Sequence, residues 1–162
     1  MPLICFTTLV PLTDYRPMSW QPSIQLRKGK EYVFCEWRRR FVRLTPEEWV
    51  RQSVLHSLVE QMAYPKSLIA VEHFIEVGTL AKRCDAVVFS TTLQPLMIIE
   101  FKAEDVRLTQ KVFDQVAVYN RRLRVRYLMV SNGHDTYVCS VDNNTYTFFE
   151  QLPTYQQLCQ NK

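Results

Sequence analysis

Glycine is scarce in this chain, with three in 162 residues. Loops that cradle phosphates need glycine, because the backbone must approach the phosphate closely. Neither a Walker pattern nor GxGxxG occurs. No helicase motif is present either, so any motor that accompanies this chain is expected on a separate subunit. The cysteines, Cys5, Cys35, Cys84, Cys139 and Cys159, are scattered, odd in number and without CxxC spacing. That argues against a zinc site and a complete disulfide framework, and it points to a reducing, cytoplasmic setting. No apolar run approaches the ~20 residues of a spanning helix, so no membrane partner is expected. Met1 to Pro11 is apolar but lacks a basic n-region, and is expected to be mature protein rather than a signal peptide.

What is present suits one globular domain. Hydrophobic residues make up 47% and charged residues 22%. The net charge of +4 is compatible with a nucleic-acid partner without being diagnostic of one. Residues 1–30, with Pro2, Pro11, Pro17 and Pro22, read as an irregular or short-strand arm, and residues 31–162 as the domain. From Glu31 to Leu44 aromatics and bases interleave: Tyr32, Phe34, Trp37, Arg38, Arg39, Arg40, Phe41 and Arg43. Either this is a ribbon that grips nucleic acid, or it is a hairpin with packed aromatics and solvated arginines. Thr45-Pro46-Glu47-Glu48 starts a helix, with Thr45 as N-cap, Pro46 at N1 and Glu48 placed to complete a capping box. That helix runs to about Ala63 on the spacing of Val50, Val54, Leu55, Leu58, Val59 and Met62.

Strands follow at 69–77, 85–89 and 95–102, then a helix over 109–122. Strands at 125–130, 136–141 and 145–149 and a short helix at 154–159 complete the chain. The order from Thr45 is α-β-β-β-α-β-β-β, an α/β domain. His56, His73 and His134 stand alone and read as structural, and no Ser-His-Asp or Cys-His pairing is visible.

The chemistry concentrates in Pro95 to Lys102. An apolar run ends in Glu100 and Lys102, two residues apart and so on one face of a strand, with Phe101 on the other. Asp85 opens the preceding strand, Asp85-Ala86-Val87-Val88-Phe89. If the two strands pair as a hairpin, Asp85 lies near Glu100. Two carboxylates beside a lysine can hold a hard divalent cation next to a positive charge.

Asp85, a gap of fourteen residues (86–99), then Glu100-Phe101-Lys102, followed by Gln115 and Tyr119, resembles the signature of the PD-(D/E)XK nucleases and the QxxxY motif of one branch. Closest is the N-terminal nuclease domain of type I restriction enzyme motor subunits. The resemblance rests on Arg43 to Gln52, Lys82 to Asp85, Glu100 to Lys102 and Gln115 to Asn120, and spans residues 30–135. It implies a central mixed sheet flanked by helices and Mg2+- or Mn2+-dependent cleavage of DNA. Asp85 and Glu100 would bind metal, Lys102 would orient or deprotonate the attacking water or steady charge, and Gln115 and Tyr119 would position these groups. Such nucleases often carry another acid on the first helix. Here Gln52 stands nearest that position and Glu48 one turn earlier, so the third metal-side residue is open between them. The DNA path would use Arg38, Arg39, Arg40, Lys82, Arg83, Arg121, Arg122 and Arg124. A separate restriction-modification subunit would be a partner. The rival is a catalytically idle nucleic-acid-binding or assembly module with the same fold.

Overall fold

The computed structural model describes residues 19–160, apart from positions 78 and 144. Residues 1–18 of the expected arm lie outside the described residues. The rest of that arm is partly a strand, β1 (Ile24–Arg27), which pairs with β2 (Lys30–Cys35). β2 in turn pairs with β3 (Arg40–Arg43), giving a three-stranded antiparallel meander. The interleaved stretch is thus a hairpin. It buries Val33 and Cys35, and Phe34 meets Phe41 edge-on across the strands.

Helix α1 (Pro46–Met62) starts where the sequence places it. Thr45 Oγ1 accepts from the Glu48 N–H at 3.1 Å, which satisfies one of the unpaired amides of the first turn. The Glu48 carboxylate does not close a capping box. It turns inward to Arg38, Arg51 and Gln52, because two guanidiniums satisfy it better there than the Thr45 amide. The helix stops at Ala63 in the left-handed region (φ +56°), ahead of Pro65.

The six-stranded sheet has the order β4-β5-β6-β7-β8-β9. β4 is Ile69–Val77, β5 Leu80–Phe89, β6 Pro95–Phe101, β7 Tyr127–Ser131, β8 Thr136–Asp142 and β9 Thr145–Phe148. Helix α2 (Gln110–Leu123) joins β6 to β7, and α3 (Tyr155–Gln160) follows β9. Only the β6–β7 pair, the one with a crossover helix, is parallel, so the sheet is mixed. β5 begins five residues before the expected Asp85, pairing with β4 as a long hairpin.

The central strands are buried on both faces, which is why their sequences read as unbroken apolar runs. Met97, Ile99 and Phe101 pack with Val50, Val54, Leu55 and Leu58 of α1 and Tyr155 and Leu158 of α3. Ile98, Leu128 and Val130 pack instead with Val112, Phe113, Val116 and Tyr119 of α2. Burying a Leu, Ile or Phe side chain is worth about 1.5–3 kcal/mol. The two clusters fix β6 in register between the helix layers. Among the described residues no helix is long and apolar enough to cross a membrane.

Candidate active site

Strand parity aims Glu100. It shares the face of Ile98, so its side chain leaves β6 towards α2. There Gln115 Nε2 donates to Glu100 Oε1 at 3.0 Å. Lys102 Nζ donates to the same oxygen at 3.0 Å. Lys102 lies one residue past β6, and its backbone N–H donates to Ser131 O at 2.9 Å, which holds it beside β7. Tyr119, one turn along α2 from Gln115, is 3.4 Å from Gln115 Nε2 through its hydroxyl.

Asp85 approaches from β5. The ladder between β5 and β6 closes at Ala86–Ile99, and one further step in that register sets Asp85 opposite Glu100. Opposed residues of an antiparallel pair have Cβ atoms roughly 4.5–5.5 Å apart. The Phe101 amide, left open where the ladder ends, donates to Asp85 Oδ2 at 2.8 Å. Asp85 Oδ1 accepts from Arg51 Nη2 at 2.7 Å.

Arg51 belongs to a buried polar network that the apolar spacing of α1 does not announce. Its Nη1 donates to Glu48 Oε2 at 2.5 Å, and Gln52 Nε2 donates to Glu48 Oε1 at 2.8 Å. Arg38, in the β2–β3 turn, also donates to Glu48. Glu72 of β4 gathers three guanidiniums on Oε1: Arg38 at 3.4 Å, Arg83 at 3.5 Å and Arg51 at 3.9 Å. The β4–β5 register, Val71–Ala86 and His73–Cys84, sets Glu72 opposite Asp85. Glu72 carries φ +54° inside a strand, a left-handed conformation rare for a residue with a side chain.

Burial, and next the Asp85 charge, push the Glu100 carboxyl up to about 7 against the opposing pull of Lys102. Burial alone would lower the Lys102 ammonium. Glu100, Glu47 and Asp85 together outweigh it, and Lys102 sits above its ordinary value. The surroundings of Lys102 thus favour its charged form. Burial also raises the Tyr119 hydroxyl, which favours its neutral form, and it accepts from Gln115.

The structure brings Asp85, Glu100, Lys102, Gln115 and Tyr119 to one end of the β5–β6 pair. Glu48 meets Asp85 through Arg51, and Gln52 bonds Glu48. Arg38 is taken up by Glu48 and Glu72, its side chain 12% exposed, so it clasps the small sheet to α1 and β4 instead of facing a phosphate path. Arg39, Arg40, Lys82, Arg83, Arg121, Arg122 and Arg124 are exposed. Arg83 stands beside the cluster through Glu72, and Arg122 Nε donates to Glu76 O at 2.8 Å. Sequence reasoning missed Arg51 and Glu72. Arg51 had a signal: it lies three and four residues before Val54 and Leu55, on the apolar face of α1.

Residues 46–153, about two thirds of the chain, match the family model described as "Type I restriction enzyme R protein N terminus (HSDR_N)". The chain belongs to this family. No curated protein matches it. Among solved structures, it is similar to a fragment of a candidate HsdR subunit of a type I restriction enzyme from Vibrio vulnificus YJ016, with TM-score 0.55 and 16% identity. That match covers 72% of this chain but 25% of the other, so the chain spans about a quarter of that relative. A candidate nuclease of the group DUF820 from Anabaena variabilis ATCC 29413 aligns with TM-score 0.47 and 12% identity, over 86% of this chain and 85% of that one. As a member of the HSDR_N family with this mixed sheet between helices, the domain has the restriction-endonuclease-like fold. The family match extends beyond residue 135 through β8 and β9, and starts at α1, leaving the small sheet outside it.

Proposed function

We propose that this domain hydrolyses DNA phosphodiester bonds with Mg2+ or Mn2+ held at Asp85 and Glu100. The observation that carries this is the convergence of Lys102 and Gln115 on one oxygen of Glu100, with Asp85 in register beside it. The donor set fits a hard cation: two carboxylates meet at one sheet edge, and burial and then the Asp85 charge push Glu100 up to about 7 in spite of Lys102. Among the described residues no three His, Cys, Asp or Glu side chains form a ready cage, and the remaining ligands would be water or substrate oxygens. With a divalent cation held at Asp85 and Glu100, the chemistry supplied would be polarisation of the scissile phosphate and a more acidic attacking water.

The chain's own residues do the rest. The Lys102 ammonium stabilises negative charge developing on the phosphate. Gln115 fixes the Glu100 carboxylate, and Tyr119 fixes Gln115. Glu48, itself held by Gln52, holds Arg51, and through it the rotamer of Asp85. Arg39, Arg40, Lys82, Arg83, Arg121, Arg122 and Arg124 supply phosphate contacts, with affinity falling by a slope of about −0.9 per contact as salt rises. Among the described residues α1, α2 and α3 all contribute to the two cores, so no helix is assigned to reading the major groove and a weak sequence preference is expected. The whole enzyme would pair this domain with a separate motor or restriction-modification subunit.

The test is cleavage of supercoiled plasmid and linear duplex by the purified chain with Mn2+ or Mg2+, against EDTA. Metal-dependent nicking supports the proposal, and no cleavage of any DNA contradicts it. One observation favours the second reading, an idle module that binds DNA: Arg51 already neutralises Asp85. Salt-sensitive duplex binding in Ca2+ with no cutting in Mn2+ would be its mark.

A further inference from the structure

The buried guanidinium beside Asp85 bears on how a cation reaches the site. Both Asp85 oxygens are engaged, Oδ1 by Arg51 at 2.7 Å and Oδ2 by the Phe101 amide at 2.8 Å. The amide bond is backbone geometry and fixed. Arg51 is a side chain, so of the two donors on Asp85 it is the one that can leave, and its charge competes with any cation that approaches the carboxylate. We infer that Arg51 is a resident cation that holds Asp85 until a divalent ion displaces it, and that Glu72 and Glu48 receive it when it leaves. This rests on the metal-dependent function proposed above.

Three observations carry the inference. First, the Arg51 side chain is 8% exposed, so it cannot retire into solvent and needs acceptors inside the protein. Second, those acceptors are in place. Glu48 is already bonded at 2.5 Å, while Glu47 at 3.6 Å and Glu72 at 3.9 Å are within a small rotation of the guanidinium fork. Third, the Glu72 backbone is turned into the left-handed region (φ +54°) opposite Asp85, and its carboxylate meets three guanidiniums at 3.4–3.9 Å without a close bond to any of them. A carboxylate held near several cations and tight to none can tighten on one of them. Removing the cation from Asp85 then leaves no buried charge unpaired. Arg51 is a positioning residue: it acts through Asp85 and makes the empty site stable at the expense of metal affinity.

The experiment is isothermal titration of the metal-stripped chain with Mn2+ alone, comparing wild type, Arg51→Met and Arg51→Met/Asp85→Asn. Arg51→Met keeps the length of the side chain and removes the competing charge. It binds Mn2+ about tenfold more tightly than wild type, the equivalent of one part-buried ion pair of about 1.4 kcal/mol, and the Asp85→Asn change cancels that gain. Equal or weaker binding by Arg51→Met overturns the inference. A measurement on wild type stands if the variant does not fold. The Arg51 Nε–Hε NMR resonance shifts as Mg2+ saturates the protein, and an unmoved resonance in saturated protein also overturns it. The two failures are distinct. Absence of Mn2+ binding in every protein sinks the metal-dependent function together with this inference, whereas equal binding in wild type and variant sinks this inference alone.

Discussion

Gln115 Nε2 stands 3.0 Å from Glu100 Oε1, joining α2 to the end of β6 across fifteen residues of sequence. The contact exists because two periodicities agree. Glu100 shares the α2-facing parity of Ile98, and Gln115 lies on the helix one residue before Val116 of the core. Gln115 holds the carboxylate without adding charge, as expected of a group that orients a ligand. Gln115→Leu therefore lowers cleavage about 10- to 100-fold, the usual effect of removing such a support, with little change in denaturant midpoint. Cleavage rates and urea titration of the same preparation check it.

Lys102 is proposed to act as a cation. Lys102→Met loses about 100-fold or more in kcat, as when a single charge-stabilising donor is removed, and Lys102→Arg keeps part of the activity because the charge remains. Arginine cannot act as a base, so rate retention by Lys102→Arg separates the two roles. An arginine variant as inactive as the methionine one would restore the case for proton abstraction.

The raised Glu100 carboxyl makes stability depend on pH in a stated direction. Folded Glu100 titrates at about 7, and an unfolded glutamate at roughly 4.3. Between those values the folded state binds more protons, so the contribution is complete below about 4.3 and is lost as pH rises to 7. In EDTA, unfolding free energy from urea titrations at pH 5, 6, 7 and 8 falls through that window. Glu100→Gln removes this part of the slope. With Mn2+ present the trend weakens, because the ion favours the deprotonated form.

How much of this was legible in the sequence follows from which signals are local. Thr45-Pro46 marked the start of α1, and the apolar runs marked β4 to β9 within two residues apart from the first five of β5, because caps and strand periodicity are short-range. The i, i+2 relation placed Glu100 beside Lys102 and Phe101 in the opposite core. Asp85 needed one long-range assumption, the β5–β6 hairpin, which the register satisfies. What stayed hidden was long-range and polar. A capping-box spacing at Glu48 is indistinguishable from a carboxylate drawn inward by Arg38 from another sheet. The left-handed turn at Glu72 has no sequence mark, since alternation made it one more polar residue of β4.

Glu48 is where that polar network is most exposed to damage. It is 4% exposed and pairs with both Arg38 and Arg51. Glu48→Ala leaves two part-buried guanidiniums short of a partner and costs about 3–5 kcal/mol. Glu48→Gln, which keeps the shape, costs less. A denaturation midpoint unchanged in Glu48→Ala would mean the network is solvated in solution.

The most direct measurement compares matched neutral variants of the two carboxylates. Wild type, Asp85→Asn and Glu100→Gln are purified alike, shown to be folded by circular dichroism, and assayed on supercoiled plasmid in Mn2+. The expected result is metal-dependent nicking by wild type and a loss of about 100-fold or more in each variant, since each removes one of the two proposed ligands. Equal cutting by wild type and both folded variants would contradict the assignment of the site.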